Sequence, residues 1–167
     1  MLPIASLPVA ALAGPRTTAA LASGTAEPAE RVAARARYSQ TMETDCPCGS
    51  GVTYVACCGP LHSGSATAAT AEQLMRSRYS AFAVADADYL LATWHPATRP
   101  ASVNLDPAIE WRRLRIRGLT AGMEDDDAGT VEFVAHYWDS AHQQYGRQHE
   151  NSRFARQARS WLYVGPA

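Results

Sequence analysis

Two short thiol pairs, Cys46-Pro47-Cys48 and Cys57-Cys58, place all four cysteines of the chain within thirteen residues. Thiols at that density suit one small metal ion. Zinc takes four thiolates tetrahedrally at about 2.3 Å each, and a closed four-thiolate shell is structural, because no ligand position stays open for chemistry. Gly49-Ser50-Gly51 between the pairs lets the backbone turn back on itself, since glycine accepts positive φ without steric cost. A disulfide staple is the plainer alternative. Any pairing inside the cluster closes a very small loop, and Cys46–Cys48 or vicinal Cys57–Cys58 bridges are strained. Free buried thiols are the third option. His62, four residues past Cys58, is either a substitute ligand or an ordinary exposed histidine. The cluster predicts structural zinc on Cys46, Cys48, Cys57 and Cys58.

Charge and composition bound the partners. A formal net charge of −1 gives no electrostatic case for nucleic acid. No lysine or arginine lies between Asp45 and Arg76, so the phosphate contacts that dominate nucleic-acid affinity are missing there, and a nucleic-acid partner is not expected. All fifteen basic residues are arginine, which excludes lysine-based chemistry such as a Schiff base or a Walker-type phosphate clamp. No stretch approaches the roughly 20 apolar residues of a membrane span. The mildly apolar run Leu7–Ala13 has no basic residue before it, so no export signal is read there, and the expected compartment is the cytoplasm.

The chain divides into three parts. Residues 1–41, rich in Ala, Pro, Thr, Gly and Ser, read as a disordered leader. Residues 42–64 form the zinc knuckle, and residues 65–167 a second, α+β domain. In that domain Thr70-Ala71-Glu72-Gln73 is a capping box, opening a helix over 71–84 whose Leu74, Met75, Arg78, Tyr79 and Phe82 share a face. Asp86 caps a second helix, through Trp94, which Pro96 stops. The period then changes to two. Strands are predicted over 111–119, 130–138, 145–155 and 160–164. Along the third, His149, Asn151 and Arg153 share one face and Glu150, Ser152 and Phe154 the other, with either set able to point inward. The small, polar connector 59–69 predicts weak coupling between knuckle and domain.

These residues carry a resemblance. Cys46-Pro47-Cys48-Gly49-Ser50-Gly51, Tyr54 and Cys57-Cys58-Gly59 resemble the SEC-C motif. Leu74 to Phe82, Asp88-Tyr89-Leu90, Thr93-Trp94-His95-Pro96 and His149 to Phe154 resemble the YchJ-like family, whose motifs thus run from Cys46 to Val164. The resemblance implies a nuclear transport factor 2-like cone, with helices packed in a curved antiparallel sheet, preceded by the zinc knuckle. That fold hosts both enzymes and binding modules, so it does not assign an activity.

Candidate pocket residues are Tyr79, Trp94, His95, His136, His149, Glu150 and Arg153. A histidine beside a carboxylate in an apolar cavity is a general acid–base pair. The structural counterpart is an ion pair of Arg78 or Arg153 with Glu150 that ties helix to sheet. No catalytic residue is assigned, because no Ser-His-Asp order, phosphate loop or His-Glu-x-x-His pattern is present. Three functions follow in order. The first is a non-enzymatic binding or adaptor protein, with a protein partner on the knuckle and a small ligand in the cone. The second is a small-molecule isomerase or hydrolase using the cone. The third is a nucleic-acid or ribosome-associated factor.

Overall fold

The computed structural model describes residues 44–167. The leader expected over residues 1–41 lies outside the described residues. A single 3-10 turn, Tyr54–Ala56, leads into helices α1 (Gly59–His62), α2 (Ala71–Val84) and α3 (Ala87–Ala92). Strands β1 (Ile109–Ala121), β2 (Ala128–Asp139), β3 (Gln144–Gln157) and β4 (Ser160–Pro166) follow. They form one antiparallel sheet in the order β1-β2-β3-β4. The α+β class and its helices-then-strands order are those the sequence predicts.

Helix α2 starts where its caps place it. Thr70 Oγ1 accepts from the Gln73 amide at 3.1 Å, and Gln73 Oε1 reaches back to the Ala69 amide. The helix ends at Ala85, which adopts a left-handed φ of 60°, and Asp86 at once caps α3 by accepting from the Tyr89 amide. Helix α3 stops at Ala92, earlier than the predicted Trp94. Beyond it the backbone turns to the sheet: the Tyr163 amide donates to the Thr93 carbonyl and the His95 amide to the Tyr163 carbonyl. Those bonds to β4 replace the ones another helical turn would make.

The sheet's inner face carries Trp111, Leu114 and Ile116 of β1 against Tyr137, Ala135 and Phe133 of β2. A strict period of two would send Trp111 and Leu114 to opposite faces. The register shift between Trp111 and Arg113 adds one residue and brings both inward. Leu74, Met75, Tyr79 and Phe82 of α2 pack on this face with Leu90, Trp94, Phe154, Trp161 and Tyr163. Burying each large side chain contributes roughly 1.5–3 kcal/mol. The β1–β2 turn is tied to the same helix. Gly122, at φ +83°, accepts from the Ala71 amide at 2.8 Å, and a Cβ there would stand 2.7 Å from the Ala71 Cβ.

The knuckle is not loosely tethered, contrary to what its connector suggests. It packs on the side of α2 that faces away from the sheet. Ser77 and Ser80 are fully buried, and Val84 packs against the cysteine cluster. Helix α2 is therefore covered on two sides, and only Gln73 and Ala83 along it are exposed. Small serines allow the close approach that the connector's composition hides.

Candidate metal centre

The cysteines come from two local structures. Cys46 and Cys48 sit on a tight hairpin, closed by the bridge between Asp45 and Thr53 and by the Cys46 amide donating to the Val52 carbonyl at 2.8 Å. Gly49 and Gly51 turn it with φ of 76° and 81°. Cys57 follows the 3-10 turn, and the carbonyl of Cys58 accepts from the Leu61 and His62 amides as α1 begins. Gly59 leaves room for this crossing, since a Cβ there would lie 2.9 Å from the Tyr54 carbonyl oxygen.

This geometry brings four sulfurs within 4.8 Å of one another. Cys48 and Cys57 are 3.5 Å apart and Cys57 and Cys58 are 3.9 Å apart. Sulfurs at the corners of a tetrahedron of 2.3 Å bonds are about 3.8 Å apart, so the set fits one thiolate-bound cation. The same separations are far beyond the roughly 2.05 Å of a disulfide, and all four cysteines are free. Cys46, Cys48 and Cys58 are buried and Cys57 is half-buried.

Electrostatics make the same point. Thiol donors hold the Cys46 sulfur far below the usual thiol range, Cys48 foremost and then Cys58, with Ser80 adding to them. Cys58 is pushed far up, first because it donates to Cys46. Burial pushes Cys57 up to about 11. Four crowded thiols thus resist ionising together, and a cation is what would let them do so. Hydroxyls support the sulfurs from outside: Ser50 donates to Cys57 at 3.2 Å, and the Ser80 hydroxyl lies 3.5 Å from Cys46.

His62 is neither a ligand nor exposed. Its Nε2 lies 2.9 Å from the Ser77 carbonyl, which can only accept, so Nε2 carries the proton. Its Nδ1 then accepts from the Tyr54 hydroxyl at 2.7 Å. Burial lowers the imidazole pKa from its ordinary value, in the direction that favours this neutral form. Arg76 adds a second strap, donating from Nη1 to the Cys48 carbonyl at 3.2 Å while pairing with Glu72. Sequence reasoning missed Ser77 and Ser80 as contact residues. The signal available was two small polar residues three apart, off the apolar stripe, in an otherwise bulky helix.

The pocket candidates do not gather into one constellation. Tyr79 and Trp94 are buried in the core, and neither the Tyr79 hydroxyl nor Trp94 Nε1 has a hydrogen-bond partner among the described residues. His95 is half-buried in the loop after α3, its Nδ1 accepting from the Ala97 amide. Glu150 points inward, while His136, His149 and Arg153 lie on the sheet's opposite face. The alternation along β3 separates His149 from Glu150, so these neighbours in sequence form no acid–base pair. His149 instead meets Glu132 at 2.6 Å, both partly exposed. Arg153 Nε donates to the Pro166 carbonyl.

Inside, Glu150 is held by the sheet. Oε1 accepts from Ser152 and Tyr163, and Oε2 from Gln148. Arg78 is fully buried beside it without a direct ion pair. Its guanidinium lies over the rings of Trp94 and Tyr163, at 5.1 and 4.6 Å, and donates to the Leu90 carbonyl and the Thr93 hydroxyl. Burial pushes its pKa down to about 10. Tyr163, touching both, is the tether that an ion pair was expected to supply.

Comparison with known proteins matches this arrangement. Residues 70–166 match the YchJ middle NTF2-like domain, and residues 45–60 match the SEC-C motif. A UPF0225 protein of Streptomyces avermitilis is 50% identical over 126 residues, 75% of this chain and 86% of its own length. A UPF0225 protein of Streptomyces coelicolor is 49% identical over 119 residues, 71% of this chain and 91% of its own. Among solved structures, a SEC-C motif containing protein from Rhodopseudomonas palustris superposes with a TM-score of 0.65 at 34% identity, covering 74% of this chain and 98% of that one. Another, from Psychrobacter arcticus, gives a TM-score of 0.63 at 26% identity, covering 77% and 84%.

Proposed function

The chain belongs to the YchJ family, with an SEC-C motif ahead of an NTF2-like domain, and from that premise we propose that it is a zinc-binding, non-enzymatic binding protein. The convergence of four sulfurs within 4.8 Å carries the reading. The thiolate set is complete at four, which suits a structural ion and leaves no position for substrate. The residues that would hold it are Cys46, Cys48, Cys57 and Cys58, and the ion would supply the charge that lets them ionise together. Thiols kept for a metal also suit a reducing compartment, which favours the cytoplasm. No helix among the described residues is long and apolar enough to cross a membrane.

Two further observations support binding over catalysis. The two inward charged groups of the domain are engaged: Glu150 accepts from Gln148, Ser152 and Tyr163, and Arg78 donates to the Leu90 carbonyl and the Thr93 hydroxyl. The knuckle presents Val52 and Val55 to solvent, 48% and 42% exposed, an apolar rim suited to a protein partner. Elemental analysis tests the metal. Protein purified reduced and without chelator should carry one equivalent of zinc, and Cys48→Ser should lose it. Iron in place of zinc, also at home in tetrahedral sulfur, would overturn the identity of the ion. A metal-free protein would overturn the site.

A further inference from the structure

The face of the sheet turned away from α2 is ordered in rows across the strands. Arg113 lies beside His136, which lies beside Arg147. The next row is Arg115, Val134 and His149, and on the other side comes Glu110, Trp138 and Tyr145. Two residues at about 3.4 Å each set consecutive rows roughly 7 Å apart along the strands. The rings of Trp138 and Tyr145 lie 4.8 Å apart, and Tyr145 is 78% exposed. Arg113, Arg115 and Arg147 are exposed and have no acidic partner among the described residues. The two glutamates of these rows and their neighbours are engaged, Glu110 with Arg112 and Glu132 with His149.

We propose that this outer face binds single-stranded nucleic acid, with Arg113, Arg115 and Arg147 on phosphates and the Trp138–Tyr145 pair as a stacking platform for bases. A positive track beside exposed aromatic rings is the chemistry that holds a single strand without reading its sequence. Other occupants fit less well. An acidic peptide satisfies the arginines but gives the exposed tyrosine ring nothing to stack on. A second copy of the chain would set one arginine row against another. Residues 1–41 carry four arginines and two glutamates, the same sign as the face. The net charge of −1 hides all this, because Glu124 and Asp125-Asp126-Asp127 balance the total from the β1–β2 turn.

The proposal gives the binding-protein reading a partner class and rests on it. Fluorescence anisotropy with labelled oligo(U) and oligo(dT) of about 16 nucleotides tests it on the full chain, its metal assayed in the same preparation. Binding should appear at 50 mM salt and weaken steeply by 200 mM, as released counterions require. Tyr145→Ala should weaken it about tenfold while Tyr145→Phe keeps it, because only the ring matters. Arg113→Glu with Arg147→Glu should abolish it, and Arg99→Glu with Arg159→Glu, the same change of charge outside these rows, should not. All these positions are exposed, and melts by circular dichroism confirm folding. No binding at 50 mM salt overturns the proposal. So does equal binding of polyglutamate, indifference to Tyr145→Ala, or a dimer in sedimentation that Tyr145→Ala dissolves. Protein that holds its metal and ignores oligonucleotide sinks this inference and leaves the metal reading standing.

Discussion

His62 joins two parts of the molecule through opposite sides of one ring. Its protonated nitrogen binds the helix at Ser77, its bare nitrogen binds the knuckle at Tyr54, and the ring packs between Tyr54 and Tyr89. His62→Phe keeps the ring and removes both hydrogen bonds. It should cost about 1–2 kcal/mol, at roughly 1 kcal/mol per bond, read by urea unfolding at pH 7.5. An unchanged midpoint would mean that packing alone holds the knuckle. This role was not legible in the sequence, which offered His62 only as a ligand or a surface group. The convergence of the four cysteines was legible, because residues so close along the chain are readily brought together by one tight turn. His62 depends on what α1 lies against, and no local pattern records that.

Among the elements, α2 and β2 were the most readable and β1 and β3 the least, each for a physical reason. The capping residues of α2 and the alternation of β2 are local rules, and both elements obey them. Strand β1 breaks the alternation with two register shifts, between Trp111 and Arg113 and between Ile116 and Gly118. Strand β3 carries polar residues on both faces, so its parity could not be chosen. The buried set proved to be Glu150 and Ser152, made tolerable by the bonds from Gln148 and Tyr163. Helix α2 itself yields a prediction. With its serine face under the knuckle and its apolar face on the sheet, metal removal should uncover one side only. Hydrogen exchange after chelation should show lost protection over Cys46–Gly59 and weakened protection along Arg76–Val84, with Val131–Trp138 spared. Full protection of α2 would show that the knuckle keeps its seat without metal. Collapse across β2 would make the whole chain one cooperative unit.

At the scale of the whole molecule, the two halves of the sheet's surface have opposite uses. The inner face holds the core. The outer face holds exposed arginines in register, and a run of four acidic side chains, Glu124 to Asp127, sits apart from them at the β1–β2 turn. Sequence totals average over both, so they reported a nearly neutral protein and pointed away from anionic partners. The rows have a practical corollary in chromatography. By its pI of about 6.5 the protein should pass straight through a cation exchanger at pH 7.5. A resin, though, meets a molecule one side at a time, and this molecule can turn its arginine side to the beads. Retention in low salt, lost when Arg113 and Arg147 become glutamate, would show at the purification bench that the charge is lopsided. Elution in the void would show that it is not.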